Sequence, residues 1–202
     1  MDVRRFVVVG RPNVGKTLFV LNFAGFLGLR QLEVIFREPD ERLYLRRYQL
    51  GEALAELVDP EPHSTRCLQS VLVDLPAGKG KTQVELLDTA GLNNGIHPIP
   101  AIRRAIAQTL GVLREVDGIL HVLDAAAIGR GEEEPGELDR EVARFGRLRP
   151  AYAILANKMD LPEAGKGLAQ LRREFPGQYI IPVSALRQEG FREVRRYVAE
   201  QR

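Results

Sequence analysis

Val3–Thr17 reads VRRFVVVGRPNVGKT. Val3–Val9 reads as a buried strand, and within it Phe6–Val9 is continuously apolar, as a strand covered on both faces requires. It breaks at Gly10 into a loop closed by Gly15, and Gly15 to about Leu29 reads as the helix that follows. Without a Cβ at Gly10 and Gly15, the backbone can curl and aim successive N–H groups at one anion. The start of the helix adds its positive dipole end. Asn13, Val14, Gly15, Lys16, Thr17 and Leu18 therefore form a phosphate cradle. Lys16 supplies a point charge to the β- and γ-phosphates, and Thr17 offers its hydroxyl to Mg²⁺.

Outward from this unit the pattern repeats. Leu68–Asp74 and Thr82–Asp88 are two more strand candidates, joined by the Pro/Gly-rich turn Leu75–Lys81. Their closeness predicts a hairpin, hence one antiparallel edge strand on a parallel sheet. Ile99, Ile102, Ile106, Leu110 and Leu113 recur at helical spacing. Gly118–Asp124, Pro150–Ala156 and Tyr179–Val183 are further strands. Helices are predicted at Glu137–Arg147, Glu163–Glu174 and Glu189–Gln201. This alternation defines a doubly wound, mainly parallel α/β sheet with helices on both faces. The chain reads as a single domain over 1–202. Its irregular part is Arg30–His63, where Leu43, Leu50, Leu54 and Leu57 predict an extra helix near Glu41–Val58, with Gly51 a weakness inside it.

Two more strings fall just past strand ends, where such sheets bind ligands. Asp88–Gly91 (DTAG) puts a carboxylate at a buried strand end, a costly position unless it serves a cation. Asp88 is therefore a magnesium ligand, and the Gly91 N–H can approach a γ-phosphate, so that losing that phosphate releases the loop beyond. Asn157–Asp160 (NKMD) is a base reader. Guanine presents N1–H and an exocyclic amine, and one carboxylate, Asp160, can accept both. Unpaired against adenine, Asp160 would discriminate on the order of 10⁴-fold. Lys158 can lay its stem along the base, Asn157 can tie this loop to the cradle, and Ser184, Ala185 and Leu186 can present a backbone N–H to the guanine carbonyl.

With 202 residues, 29 basic against 27 acidic side chains and one cysteine, the chain is long enough for a packed core. It has no internal disulfide and no apolar run of membrane-spanning length, which fits a cytoplasmic protein. Cys67 reads as a buried thiol on a strand. The arginine pairs 103–104, 172–173 and 195–196 read as solvated helix faces, Glu132–Glu134 as a solvated acidic loop, and Arg11 and Arg66 as surface pairing residues that could alternatively approach phosphate. His121 falls in a strand and reads as a satisfied core residue; His63 and His97 read as exposed loop residues.

With these residues in hand, the chain resembles a P-loop GTPase of the translation-factor-related class. It is most similar to the Era-like branch, which includes ribosome-assembly and tRNA-modification GTPases. The resemblance spans roughly Val3 to Tyr197 and implies a six-stranded sheet, Mg²⁺ dependence and hydrolysis of GTP to GDP. It also implies that Thr65, in Pro62–Cys67 (PHSTRC), is the switch I magnesium ligand, with Ser64 the alternative. This chain has Cys67 where an acidic residue often follows the arginine. An RNA or ribosomal effector is suggested by analogy.

Catalysis is the weak point of the pattern. Leu92 follows the DxxG glycine where Ras-like enzymes place a water-orienting glutamine, so intrinsic turnover should be slow. The resemblance implies that Asn13 helps to hold K⁺ beside the β–γ bridge; the alternative is that Asn13 merely shapes the loop. Lys16, Asn13, Thr65 and Gly91 are thus the catalytic candidates. The readings compared are a GTP hydrolase acting as a switch, a GTP-gated interaction module with negligible turnover, and a nucleotide kinase or ATPase, which NKMD opposes. A nucleotide-dependent homodimer supplying the missing groups is also compatible with the sequence.

Overall fold

The computed structural model describes residues 3–38, 40, 42–58, 67–77, 80–92 and 100–201. The strands are β1 (Arg4–Val9), β2 (Gln31–Arg37), β3 (Leu43–Gln49), β4 (Leu68–Ala77), β5 (Gly80–Asp88), β6 (Gly118–Asp124), β7 (Ala151–Asn157) and β8 (Ile180–Pro182). The helices are α1 (Lys16–Phe26), α2 (Leu50–Leu57), α3 (Pro100–Val112), α4 (Ala125–Arg130), α5 (Glu137–Gly146), α6 (Ala164–Glu174) and α7 (Phe191–Glu200). All strands join one sheet in the order β3-β2-β4-β5-β1-β6-β7-β8.

From β5 to β8 the strands are parallel, and β4 runs antiparallel to β5. Along β1, Phe6 and Val8 enter one core, and Val7 and Val9 enter the other. This is why Phe6–Val9 is apolar at every position: it is covered on both faces. The first core takes Phe19 and Phe23 of α1 and Phe191 of α7. The second takes side chains of α3, α4, α5 and α6. The doubly wound expectation holds.

Two details differ from the sequence reading. The sheet has eight strands rather than six, and β4 is not its edge. The cause is the segment after α1. Leu43–Gln49 is not the start of a helix; it pairs antiparallel with Gln31–Arg37, with Phe36 opposite Tyr44 and Val34 opposite Arg46. The aromatic residues decide this, since Tyr44 stacks on Phe36 with ring centroids 4.9 Å apart and such cross-strand pairs stabilise a ladder. Helix formation begins only at Leu50, where the Glu52 carboxylate caps the Gln49 N–H at 2.9 Å. Leu50, Leu54 and Leu57 then pack on the first core. Gly51 sits in this first turn with open space around its Cα.

Candidate functional site

The five parallel strands deliver their carboxyl ends to one edge of the sheet. There β1 ends in the glycine loop, β5 in Asp88, β6 in Asp124, β7 in Asn157, and β8 leads into Ser184. The loop after β1 has the predicted curl. Gly10, Asn13 and Gly15 have φ of 150°, 61° and 94°. A Cβ on Gly15 would lie 2.5 Å from Asn157 Nδ2, so no larger residue fits. Asn13 occupies a left-handed position, which asparagine tolerates better than most residues. That geometry is a structural reason for Asn13 independent of any cation.

Lys16 is buried at the head of α1. Its Nζ donates to the Arg11 carbonyl at 2.8 Å. Burial pulls the ammonium down to about 8, opposed by the charge of Asp88. Thr17 Oγ1 donates to Asp88 Oδ2 at 2.6 Å. The other carboxylate oxygen, Oδ1, is buried with no hydrogen-bond partner. Burial pushes the Asp88 carboxyl up to about 6 despite Thr17 and Lys16. An orphaned, desolvated carboxylate oxygen beside a hydroxyl is what a hard cation with oxygen ligands would satisfy. The donor set therefore fits Mg²⁺, with Thr17 and Asp88 able to hold it.

Past β5, Thr89 Oγ1 donates to the Val8 carbonyl at 2.8 Å, and the Leu92 N–H to the Gly10 carbonyl at 3.0 Å. A Cβ on Gly91 would come within 2.6 Å of Pro12 N, so this glycine is required by close approach to the cradle. The Leu92 side chain is buried in the second core. It turns away from the site rather than standing in for a water-orienting group.

The base-reading loop is locked to the cradle. Asn157 Nδ2 donates to the Val14 carbonyl at 2.7 Å and its Oδ1 accepts from the Ala185 N–H at 2.9 Å. The N–H of Ala185 assigned by sequence to guanine is thus engaged by Asn157, and a base carbonyl would have to share it. Asp160 Oδ1 accepts from Ser184 Oγ at 2.5 Å, which fixes the carboxylate's orientation. Leu186 is exposed beside them.

The structure also gives residues of these loops partners that the sequence reading did not name. Lys158 is left-handed (φ 65°), and its Nζ pairs with Asp124 Oδ2 at 2.6 Å. Asp124 also caps α4 through its Oδ1 and the Ala127 N–H at 2.9 Å. An aspartate closing a buried strand was a signal for this role, as it was for Asp88. Arg11 is not a surface pairing residue: its partner Asp139 is buried. Cys67 is half-buried and directly precedes β4, and burial pushes its thiol up to about 11. Ser64, Thr65, Arg66, His63 and His97 lie outside the described residues.

A doubly wound sheet carrying a glycine loop, a buried lysine and an Asn–Lys–x–Asp base reader at one edge defines a P-loop nucleotide-binding domain. The sequence model of the 50S ribosome-binding GTPase family matches residues 47–158. This is more than half of the chain, and the chain belongs to that family. The match begins after the glycine loop, which is therefore a separate sign of the same class. GTPase Der of Trichormus variabilis is 26% identical over 193 residues, 93% of this chain and 33% of that protein. GTPase Obg of Bacillus pumilus is 33% identical over 122 residues, 57% of this chain and 28% of that protein. The chain thus spans about a third of the length of these relatives. Among solved structures, Era in complex with MgGDPNP and a 16S ribosomal RNA segment superposes with TM-score 0.68 at 21% identity. It covers 100% of this chain and 57% of that one. An Aquifex aeolicus Era variant bound to GDP and AlF₄⁻ gives TM-score 0.70 at 20% identity, with the same coverage. These solved structures share the fold of this chain.

Proposed function

We propose that the chain binds GTP and GDP with Mg²⁺ where the three loops converge, hydrolyses GTP slowly, and changes its switch segments with the state of the nucleotide. The observation that carries this is the joint between the two halves of the site. Asn157 ties the base loop to the phosphate loop, while Asp88 leaves one buried oxygen unpartnered beside Thr17. Mg²⁺ held by Thr17 and Asp88 would supply positive charge against the phosphate oxygens. Lys16 adds its ammonium to the same oxygens, the cradle N–H groups hold the α- and β-phosphates, and Gly91 offers its N–H to the γ-phosphate. Thr65 is the second hydroxyl ligand in this reading. Asp160, oriented by Ser184, accepts from guanine.

Slow turnover follows from Leu92, whose side chain is packed in the core and cannot orient water. A K⁺ ion held with Asn13, or groups supplied by a second copy, would fill that gap. The same leucine favours a second reading, a GTP-gated interaction module with negligible hydrolysis of its own. The effector proposed is ribosomal RNA or a ribosomal protein, since the family is described as 50S ribosome-binding and Era has been crystallised with 16S rRNA. No helix among the described residues is long and apolar enough to cross a membrane, and a cytoplasmic setting is part of this proposal. Single-turnover GTP hydrolysis in Mg²⁺ tests the reading. Conversion to GDP that is lost in Asp88→Asn is expected; nucleotide binding with no conversion under any salt leaves only the interaction module.

A further inference from the structure

Behind the phosphate loop lies a chain of buried polar groups that the nucleotide reading does not use. Arg11 Nη2 donates to Asp139 Oδ2 at 2.6 Å and to the Glu134 carbonyl at 3.0 Å. Asp139, on α5, is buried, and the same Oδ2 also accepts from the Gly136 N–H at 2.8 Å. Its Oδ1 faces Nε2 of His121, on β6, at 3.4 Å, too poorly aligned to satisfy that nitrogen. The other ring nitrogen, Nδ1, lies 3.0 Å from the hydroxyl of Tyr152, on β7. Burial alone would raise the Asp139 carboxyl, but His121, the Gly136 N–H and Arg11 hold it below the usual range. The Gly136 N–H and Arg11 thus both hold one ionised carboxylate, and its salt-bridge partner is the second residue of the phosphate loop.

The loop end of this chain reaches the chemistry. The Arg11 carbonyl accepts the Lys16 ammonium at 2.8 Å. Pinning the Arg11 side chain pins the peptide on which Lys16 rests, and with it the curl of the loop. A charge-assisted contact from the partly buried Arg11 to a buried carboxylate is a strong and directional tether. We propose that Asp139 is a positioning residue for the phosphate loop, acting through Arg11.

This rests on the nucleotide reading above, and the test separates the two. Fluorescent GDP and GTP are titrated in Mg²⁺ onto the wild type, Asp139→Asn, Arg11→Ala and the double variant, and thermal unfolding of each nucleotide-free protein is recorded alongside. Asparagine keeps an oxygen for the Gly136 N–H but removes the charge. Each single variant is expected to weaken both nucleotides about tenfold, with the double variant no weaker than the worse single one. Preference for GTP over ATP stays as in the wild type, because the base loop is untouched. A purely structural Asp139 would lower the unfolding temperature and leave the affinity of the folded protein within twofold, and that result overturns the proposal. So does a loss in Arg11→Ala with none in Asp139→Asn, which would mean that Arg11 touches phosphate itself. If Asp139→Asn does not fold, Arg11→Lys decides: partial recovery relative to Arg11→Ala supports the tether, and equal affinities refute it. Wild-type protein that bound neither nucleotide would overturn the underlying reading, and the tether with it.

Discussion

Asp88 sets the pH behaviour expected of the nucleotide-free protein. Its carboxyl is raised from the ordinary value to about 6 by burial, so the folded state holds a proton that the unfolded chain has already released. The stability this contributes is fully present below about pH 4 and is lost as pH rises through about 6. Unfolding from pH 4 to 7 should therefore carry a destabilising component that Asp88→Asn removes. Binding of Mg²⁺–nucleotide should show the opposite trend and weaken as pH falls through about 6, because the cation needs the ionised form. Titrations at pH 5 and 7.5 check this; an affinity indifferent to pH would separate Asp88 from the metal. Asn13 offers a second test. GTP turnover should be faster in KCl than in NaCl, and Asn13→Gly, which keeps the left-handed backbone, should erase the difference. A K⁺ effect that survives in Asn13→Gly would assign the asparagine to loop shape alone. At this scale the sequence was legible where a residue's place follows from its position at a strand end, and the structure brings Lys16, Thr17, Asp88, Asn157 and Asp160 to one sheet edge. The partners of Arg11 and Lys158 were not legible, because Asp139 and Asp124 come from distant parts of the chain and are joined to them only by folding.

Helices α4 and α6 meet almost backbone to backbone. A Cβ on Gly167 would run into the Ala125 carbonyl and one on Gly129 into the Glu163 carbonyl, both well inside contact distance. Helix α4 starts directly after Asp124, and α6 follows the base-reading loop in the chain. Gly167→Ala should cost on the order of 1–3 kcal/mol of stability through overpacking, despite alanine's better helix propensity. Chemical denaturation would show it; a stabilised Gly167→Ala would mean that the helices can part freely. Strand and helix types elsewhere were readable from period and breakers, because β1, β6 and β7 are buried on both faces and α5 and α7 have one apolar stripe. The hairpin β2–β3 was not. Leu43, Leu50, Leu54 and Leu57 match a helical period by coincidence, while the pairing of Leu43–Gln49 with Gln31–Arg37 is a tertiary choice made by Phe36 and Tyr44.

In the whole molecule, one sheet edge gathers loops from five strands, and the two cores on either side hold that edge rigid. The hairpin β2–β3 with α2 extends the sheet beyond β4. It precedes the proposed switch I string in the sequence, and partner choice is proposed for it. With a non-hydrolysable GTP analogue the protein should co-sediment with ribosomal particles more than with GDP; equal partition in both states would remove the switch from the ribosomal proposal. The central claim is that a guanine nucleotide occupies the edge and that Asp160 reads its base. Competition of unlabelled GTP and ATP against fluorescent GDP, on the wild type and on Asp160→Asn, tests it most directly. The account predicts GTP favoured by several orders of magnitude in the wild type and most of that preference lost in Asp160→Asn, with the protein still folded. Equal competition by ATP in the wild type, or an unchanged preference in the variant, would contradict it.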